Sequence, residues 1–322
     1  MLLPASLGIL TRSFEPPLSR MSLLNRLVVA TLPFVPKPIV GAVARRYIAG
    51  VTLEEAVVQI RSLNSRGFVA TTDLLGEYIT RLEEAGANEK LIESIFQTIG
   101  RHRLLSTASV KLSQLGLLLD TEACYRNVRS IVVLAESLGN RLTIDMEDSS
   151  TVDATWDIYY RLRSEGLTNV GMVSQAYLRR AEPDIRTMIS RGGGEIRLCK
   201  GIYVEPESIA FKSREDVRNN FSRLLDVMFD GGCRVGIATH DDVLVDKAYG
   251  SIARHGLKPN EYEFQMLLGV QEGLRNTILS AGHSLRVYVP FGEHWYAYSV
   301  RRLRENPQIA GYVFKAMFSR PA

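Results

Sequence analysis

Eight apolar runs rich in β-branched residues recur along this chain, each ending in small or polar residues: Phe68–Gly76, Thr107–Gly116, Arg141–Asp148, Val170–Tyr177, Glu195–Gly201, Cys233–His240, Tyr262–Gly269 and Leu285–Gly292. One run starts about 23 to 40 residues after the last, and helical patterns such as Ala154–Glu165 and Val217–Phe229 fill the intervals. In the last run Leu285, Val287 and Val289 alternate with Arg286 and Tyr288, a period of two that predicts a half-buried strand stopped by Pro290, Phe291 and Gly292. From Trp295 the period turns helical, which sets Tyr298, Arg301, Arg302 and Glu305 on one face. Upstream, Thr52 followed by Glu54 and Glu55 predicts a capped helix through Leu63.

Eight strand–helix units without a long polar linker predict an α/β fold, a closed parallel (β/α)8 TIM-type barrel over residues 51–322. An open doubly wound sheet is the alternative. Against it, no G-x-G-x-x-G turn follows a first strand, and Gly192-Gly193-Gly194 precedes a strand as a flexible turn. Residues 1–50 form a basic, Leu- and Val-rich leader broken by Pro33, Pro36 and Pro38, expected as extra N-terminal helices packed on the barrel.

Composition narrows the function classes. The 322 residues are 46% hydrophobic and 23% charged, which describes a globular chain with ample core. A net charge of +4 is too small to argue for nucleic acid. Cys124, Cys199 and Cys233 are far apart with no CxxC pair, so neither a disulfide framework nor a zinc site is expected, and a reducing, cytoplasmic setting fits. No apolar stretch reaches the length of a membrane span, and the N-terminus lacks the basic start and cleavage site of a signal peptide.

The polar residues carry the chemistry. They gather at predicted strand ends: Lys111, Asp145 with Met146 and Glu147, Gln175, Arg197, Lys200 with Gly201 and Tyr203, Thr239-His240-Asp241, and Tyr288. In a barrel of this kind the strand ends and following loops build the active site. Charges inside apolar strands cost several kcal/mol per ion unless paired, so Lys111, Asp145 and Arg197 imply mutual pairing or an ionic ligand. His240 is the one histidine at a strand end, so no histidine cluster builds a metal centre. No G-x-S-x-G turn or Cys/His pair supports covalent acyl transfer, and the carboxylates after Ile144 are a weak case for glycoside hydrolysis. Several Lys and Arg, tyrosines and few acids suit an anionic cofactor with a small anionic substrate.

The runs TTDLLGE (71–77), SVKLSQLG (109–116), TIDMEDS (143–149), SQAYLRR (174–180), RLCKGIYVEP (197–206), ATHDD (238–242), YEFQMLLGV (262–270) and VYVPFG with WYAYSVRRLRE (287–305) together resemble the monofunctional bacterial proline dehydrogenases. The similarity spans roughly residues 45 to 315. It implies a distorted (β/α)8 barrel that holds FAD non-covalently, oxidises L-proline to Δ1-pyrroline-5-carboxylate and passes electrons to a membrane quinone. Carried over by position, Arg301, Arg302 and Lys111 clamp the proline carboxylate, while Tyr288, Tyr298 and Leu267 enclose the ring. Asp145 sits beside the substrate and Arg197 near the flavin, which makes Asp145, Arg197 and Tyr288 the catalytic set. Met146, Gln175, Arg197, Lys200, Gly201, Ile202, Tyr203, Thr239 and His240 match cofactor-binding positions, with Glu305 beside them supporting the arginine pair. Cys199, Ile202 and Phe291 depart from the family's usual valine, alanine and tyrosine, and the bulk of Ile202 bears on cofactor seating. The chain lacks the DNA-binding and aldehyde dehydrogenase regions of the bifunctional proteins. A cyclic amino acid such as hydroxyproline is the alternative substrate, and a non-catalytic flavin- or proline-binding barrel the alternative class. The basic, apolar mixture of residues 1–50 and Ile309–Phe318 suggests peripheral contact with the inner face of the cell membrane.

Overall fold

The computed structural model describes residues 40–41 and 44–305, and the side chains of residues 301–305 lie outside that description. Most of the leader and the segment Ile309–Phe318 therefore fall outside the described residues, as do the side chains of Arg301, Arg302 and Glu305. Helix α1 (Leu53–Ser65) leads into β1 (Val69–Leu74), and strands then alternate with helices: α2 (Leu82–His102), β2 (Ser106–Lys111), α3 (Thr121–Ser137), β3 (Leu142–Asp145), α4 (Val152–Ser164), β4 (Val170–Gln175), α5 (Ala181–Ser190) and β5 (Glu195–Cys199). The second half continues with α6 (Arg214–Asp230), β6 (Arg234–Ala238), α7 (Asp242–His255), β7 (Tyr262–Leu267), α8 (Glu272–Ser280), β8 (Leu285–Phe291) and α9 (Trp295–Glu305). All eight strands are parallel and pair in sequence order, and β8 closes on β1 with Thr71 opposite Tyr288 and Asp73 opposite Pro290.

Local chemistry sets the element ends. Thr52 accepts from the Glu55 amide and Glu55 accepts from the Thr52 amide, a capping box that starts α1. Asp120 and Ser213 cap α3 and α6 by their side chains alone, accepting from the Ala123 and Asp216 amides at 3.0 Å. Each strand starts within one residue of its predicted run, β2 one residue before it, and stops short of the run's C-terminal end. After Lys111 the chain turns into a short 3-10 helix, Leu112–Leu115, and after Asp145 it leaves the sheet before Met146. There the polar residues leave the ladder at the C-terminal end of the barrel.

Parity within the strands separates two interiors. Outward residues such as Ala108, Ile144, Met172, Leu198, Phe264 and Val287 are almost fully buried against the helices, on faces that include Ile60, Phe96, Val132, Leu162, Phe221 and Ile252. Inward residues line the lumen and are largely polar. The alternation in β8 accordingly does not separate core from solvent: Arg286 and Tyr288 project into a second, hydrophilic interior.

At the lumen floor Arg141 pairs with Glu195, and Arg234 lies 3.0 Å from Glu195 and 3.1 Å from Glu263. Arg286 clasps Glu263 and also donates to Thr107 Oγ1 at 3.1 Å. Arg286 and Arg234 pull the Glu263 carboxyl down to about 2 against the opposing effect of burial.

Residues just before α1 cover part of the opposite end. The Ala49 amide donates to the Pro290 carbonyl at 2.8 Å and the Gly292 amide to the Gly50 carbonyl at 3.1 Å. Val40, Ala44, Tyr47 and Ile48 form a small apolar cluster with Leu75 and Tyr298.

Candidate active site

The C-terminal ends of the strands bring together residues that the sequence scatters. Asp145, last in β3, accepts from Tyr288 of β8 at 2.7 Å, from Ser109 of β2 at 2.8 Å and from the Arg197 guanidinium of β5. Arg197 is braced from its other side, its Nε donating to Gln265 Oε1 at 2.6 Å and its Nη2 to Ser109 at 3.2 Å. Lys111 stands 4.0 Å from Asp145 but makes its close contact with Asp73 of β1, at 3.0 and 3.2 Å. Five ionisable groups from five strands thus form one buried network. Burial, together with Asp145 and Asp73, raises the Tyr288 phenol far above its ordinary value, so it stays a donor.

A second group surrounds the first. Met146 is buried, and its carbonyl accepts from Gln175 Nε2 at 3.0 Å. The other amide atom of Gln175, Oε1, is buried without a hydrogen-bond partner. Glu147, which also follows β3, accepts from the Ser113 amide at 2.9 Å and from the Ser113 hydroxyl, and burial pushes its carboxyl up to about 7. The Leu267 amide donates to His240 Nε2 at 2.8 Å, which places the proton of the neutral ring on Nδ1. Thr239 is buried and accepts from the Asp241 amide at 3.1 Å.

Beyond β5 the loop is built for close approach. Gly201 has φ +100°, and a Cβ there would lie 2.1 Å from the Tyr177 ring, so only glycine fits. Ile202 and Tyr203 follow it, half-buried. Lys200 pairs with Asp241, and Arg218 grips the same carboxylate at 2.6 and 2.9 Å, with Arg214 3.5 Å away. These cations outweigh burial and hold the Asp241 carboxyl well below the usual range. Three cations around one carboxylate leave an excess of positive charge at this rim.

The structure therefore gathers Lys111, Asp145, Arg197 and Tyr288 at one point and sets Met146, Gln175, Lys200, Gly201, Ile202, Tyr203, Thr239, His240 and Leu267 along the same end of the barrel. Tyr298 is buried among Leu75 and the residues preceding α1. Sequence reasoning missed Asp73, Ser109 and Gln265 as members of the network, and Arg218 as the partner of Asp241. Asp73 did carry a signal, since it follows Thr71 at inward parity on a strand end.

A closed (β/α)8 barrel with an ionised, largely desolvated network at the C-terminal ends of its strands defines an enzyme scaffold whose site takes a small charged ligand. Comparison with known proteins agrees and is more specific. Residues 56–314 match the proline dehydrogenase family, and the chain belongs to that family of flavin-dependent oxidoreductases. It is 36% identical over 277 residues to proline dehydrogenase 1 of Bacillus subtilis (strain 168), covering 86% of this chain and 91% of the relative. It is 32% identical over 278 residues to proline dehydrogenase of Deinococcus radiodurans, covering 85% and 89%. Among solved structures, proline utilization A from Bdellovibrio bacteriovorus inactivated by N-propargylglycine shares the fold, with a TM-score of 0.77 at 21% identity. That match covers 87% of this chain and 34% of the larger protein, so the chain spans about a third of it.

Proposed function

We propose that this chain oxidises L-proline to Δ1-pyrroline-5-carboxylate with FAD as its resident cofactor, and that the electrons pass on to a membrane quinone. The observation that carries the reading is the Asp73–Lys111–Asp145–Arg197–Tyr288 network at the barrel mouth of a proline dehydrogenase family member. The residues present suit a dinucleotide. Lys200, Arg214 and Arg218 exceed the charge of Asp241 and match a diphosphate, the Gly201 turn admits a close approach, and Gln175 Oε1 is an unmet acceptor for a ring N–H. FAD, when bound, supplies a two-electron acceptor for the C–H beside the ring nitrogen.

The chain's own groups do the rest. Lys111 together with Arg301 and Arg302 binds the substrate carboxylate, and Tyr288, Tyr298 and Leu267 enclose the apolar ring. Asp145 fixes Arg197 and the Tyr288 hydroxyl in one orientation, so neither must reorganise during the reaction. Arg197 keeps a positive charge in a water-poor site, with Asp145 offsetting the cost of its burial and the Tyr288 ring 5.4 Å from its guanidinium. Met146, Thr239, His240, Ile202, Tyr203 and Glu305 complete the cofactor contacts. The reading places the protein in the cytoplasm with peripheral contact to the membrane that holds the quinone. Among the described residues no helix is long and apolar enough to cross a membrane.

The test is a visible spectrum of the purified protein followed, without oxygen, by L-proline. The expected result is a flavin spectrum that bleaches on L-proline and responds far less to hydroxyproline. A protein that cannot be loaded with FAD overturns the assignment, and loaded flavin that stays oxidised overturns the substrate. Sedimentation with anionic lipid vesicles, compared between the two flavin redox states, tests the membrane contact, and no binding in either state removes it.

A further inference from the structure

Asp73 is the most buried acid of the network, at 1% exposure, and both its carboxylate oxygens lie within hydrogen-bond distance of Lys111 Nζ. In the sheet register Asp73 stands beside Ser109, two residues below Lys111, so it grips the ammonium from the floor side of the lumen. An ammonium carries three donors, and a grip from below turns those that remain toward the mouth. Asp145 cannot replace Asp73 in this role. It lies 4.0 Å from Lys111 and is engaged by Arg197, Tyr288 and Ser109.

We propose that Asp73 is a positioning residue for the substrate carboxylate: acting through Lys111, it keeps that ammonium charged and turned toward the ligand. The inference rests on the proline-binding role of Lys111 given above. Lys111 is faced by Asp73 from β1 and Asp145 from β3, with Glu77 and Glu147 on the loops after β1 and β3, and Asp73 itself also interacts with Tyr288 of β8. Burial opposes its charge, and Asp73, Asp145 and Glu77 together outweigh burial and raise its pKa. Without Asp73 the largest opposing charge is lost. The Lys111 pKa then falls, and carboxylate binding is lost as pH rises through the lowered value.

The experiment is steady-state kinetics across the neutral to alkaline range with FAD-loaded full chain, comparing the wild type, Asp73→Asn, Lys111→Met and the double variant. Asp73→Asn is expected to raise KM for L-proline about tenfold to a hundredfold, the worth of one charge-assisted hydrogen bond, with a smaller change in kcat. It also brings an alkaline limb in kcat/KM below about pH 10. In the Lys111→Met background, Asp73→Asn is expected to change KM by less than about twofold, because its effect runs through the missing lysine. The double variant leaves no unpaired buried charge, so it stands even if Asp73→Asn alone does not fold. Wild-type KM and pH profile in Asp73→Asn overturn the inference, as does a full additional loss in the Lys111→Met background. If wild-type flavin is not reduced by L-proline, the proposed function falls and this inference with it; an active wild type with a silent Asp73→Asn sinks the inference alone.

Discussion

The two ends of the lumen use the same kinds of residues to opposite ends. At the floor each carboxylate sits between two guanidinium groups, Glu195 between Arg141 and Arg234, and Glu263 between Arg234 and Arg286. In the buried network at the mouth, among the described residues, the cations are Arg197 and Lys111, and a phenol joins the carboxylates. Arginine holds its proton at every accessible pH and binds in a fixed planar fork, so the floor is a static brace. Lysine and tyrosine carry movable donors, so the mouth can share its hydrogen bonds with a ligand. Buried charge alone does not mark a site. The distinguishing feature is the kind of donor that holds the carboxylates, fixed guanidinium forks at the floor and a movable ammonium and phenol beside one guanidinium at the mouth.

The largest effect that would sharpen this contrast is Glu263→Gln. It leaves Arg234 and Arg286 short of countercharge and should cost about 3–5 kcal/mol in denaturant unfolding, while the protein still folded retains its kcat/KM within about twofold. A loss of activity with stability intact would move the floor into the site. Asp145→Asn should act on catalysis. It removes the anchor of Arg197 and Tyr288 and should lower kcat/KM of the folded protein by about 10²–10³-fold, a loss that Glu263→Gln does not share even though both leave a buried arginine short of countercharge.

Gly201→Ala forces a Cβ against Tyr177 at positive φ and should weaken FAD retention by about tenfold or more, read from the flavin-to-protein ratio after gel filtration. The smallest effect is a pH slope. Glu147 is raised from 4.5 to about 7 on folding, so the native state binds its proton more tightly. Stability from this group is full below pH 4.5 and is lost as pH rises through 7. Wild-type unfolding free energy should therefore fall relative to Glu147→Gln by on the order of 1 kcal/mol between about pH 6 and 8. Parallel curves would mean that the Ser113 contacts, not burial, govern Glu147.

Fold and site were legible to different depths. Each strand starts within one residue of a run marked by β-branched residues, because parallel strands buried on both faces need continuous apolar character on the helix side. Strand ends were overextended at Leu112 and Met146, since the same apolar residues serve the turn that follows. The alternation in Leu285–Val289 was clear, but its meaning was not: a polar lumen and solvent leave the same period of two. Lys111, Asp145, Arg197 and Tyr288 stood out as charged or phenolic groups at strand ends. Their pairing did not, because Asp73 lies 38 positions from Lys111 and Gln265 lies 68 from Arg197, and nothing local couples them. Arg218 was read as part of a helical pattern, and its hold on Asp241 depends on how α6 and α7 sit side by side.

The stitch of Ala49 and Gly50 to Pro290 and Gly292 also bears on the order of folding. The chain is synthesised from its N-terminus, so residues 44–50 are made early, whereas their partners at the end of β8 are made almost last. The mouth cannot be laced until β8 has joined β1 and the barrel has closed. This end of the barrel thus joins residues near the two extremes of the described chain, and completing it requires the same β8 that closes the ring on β1.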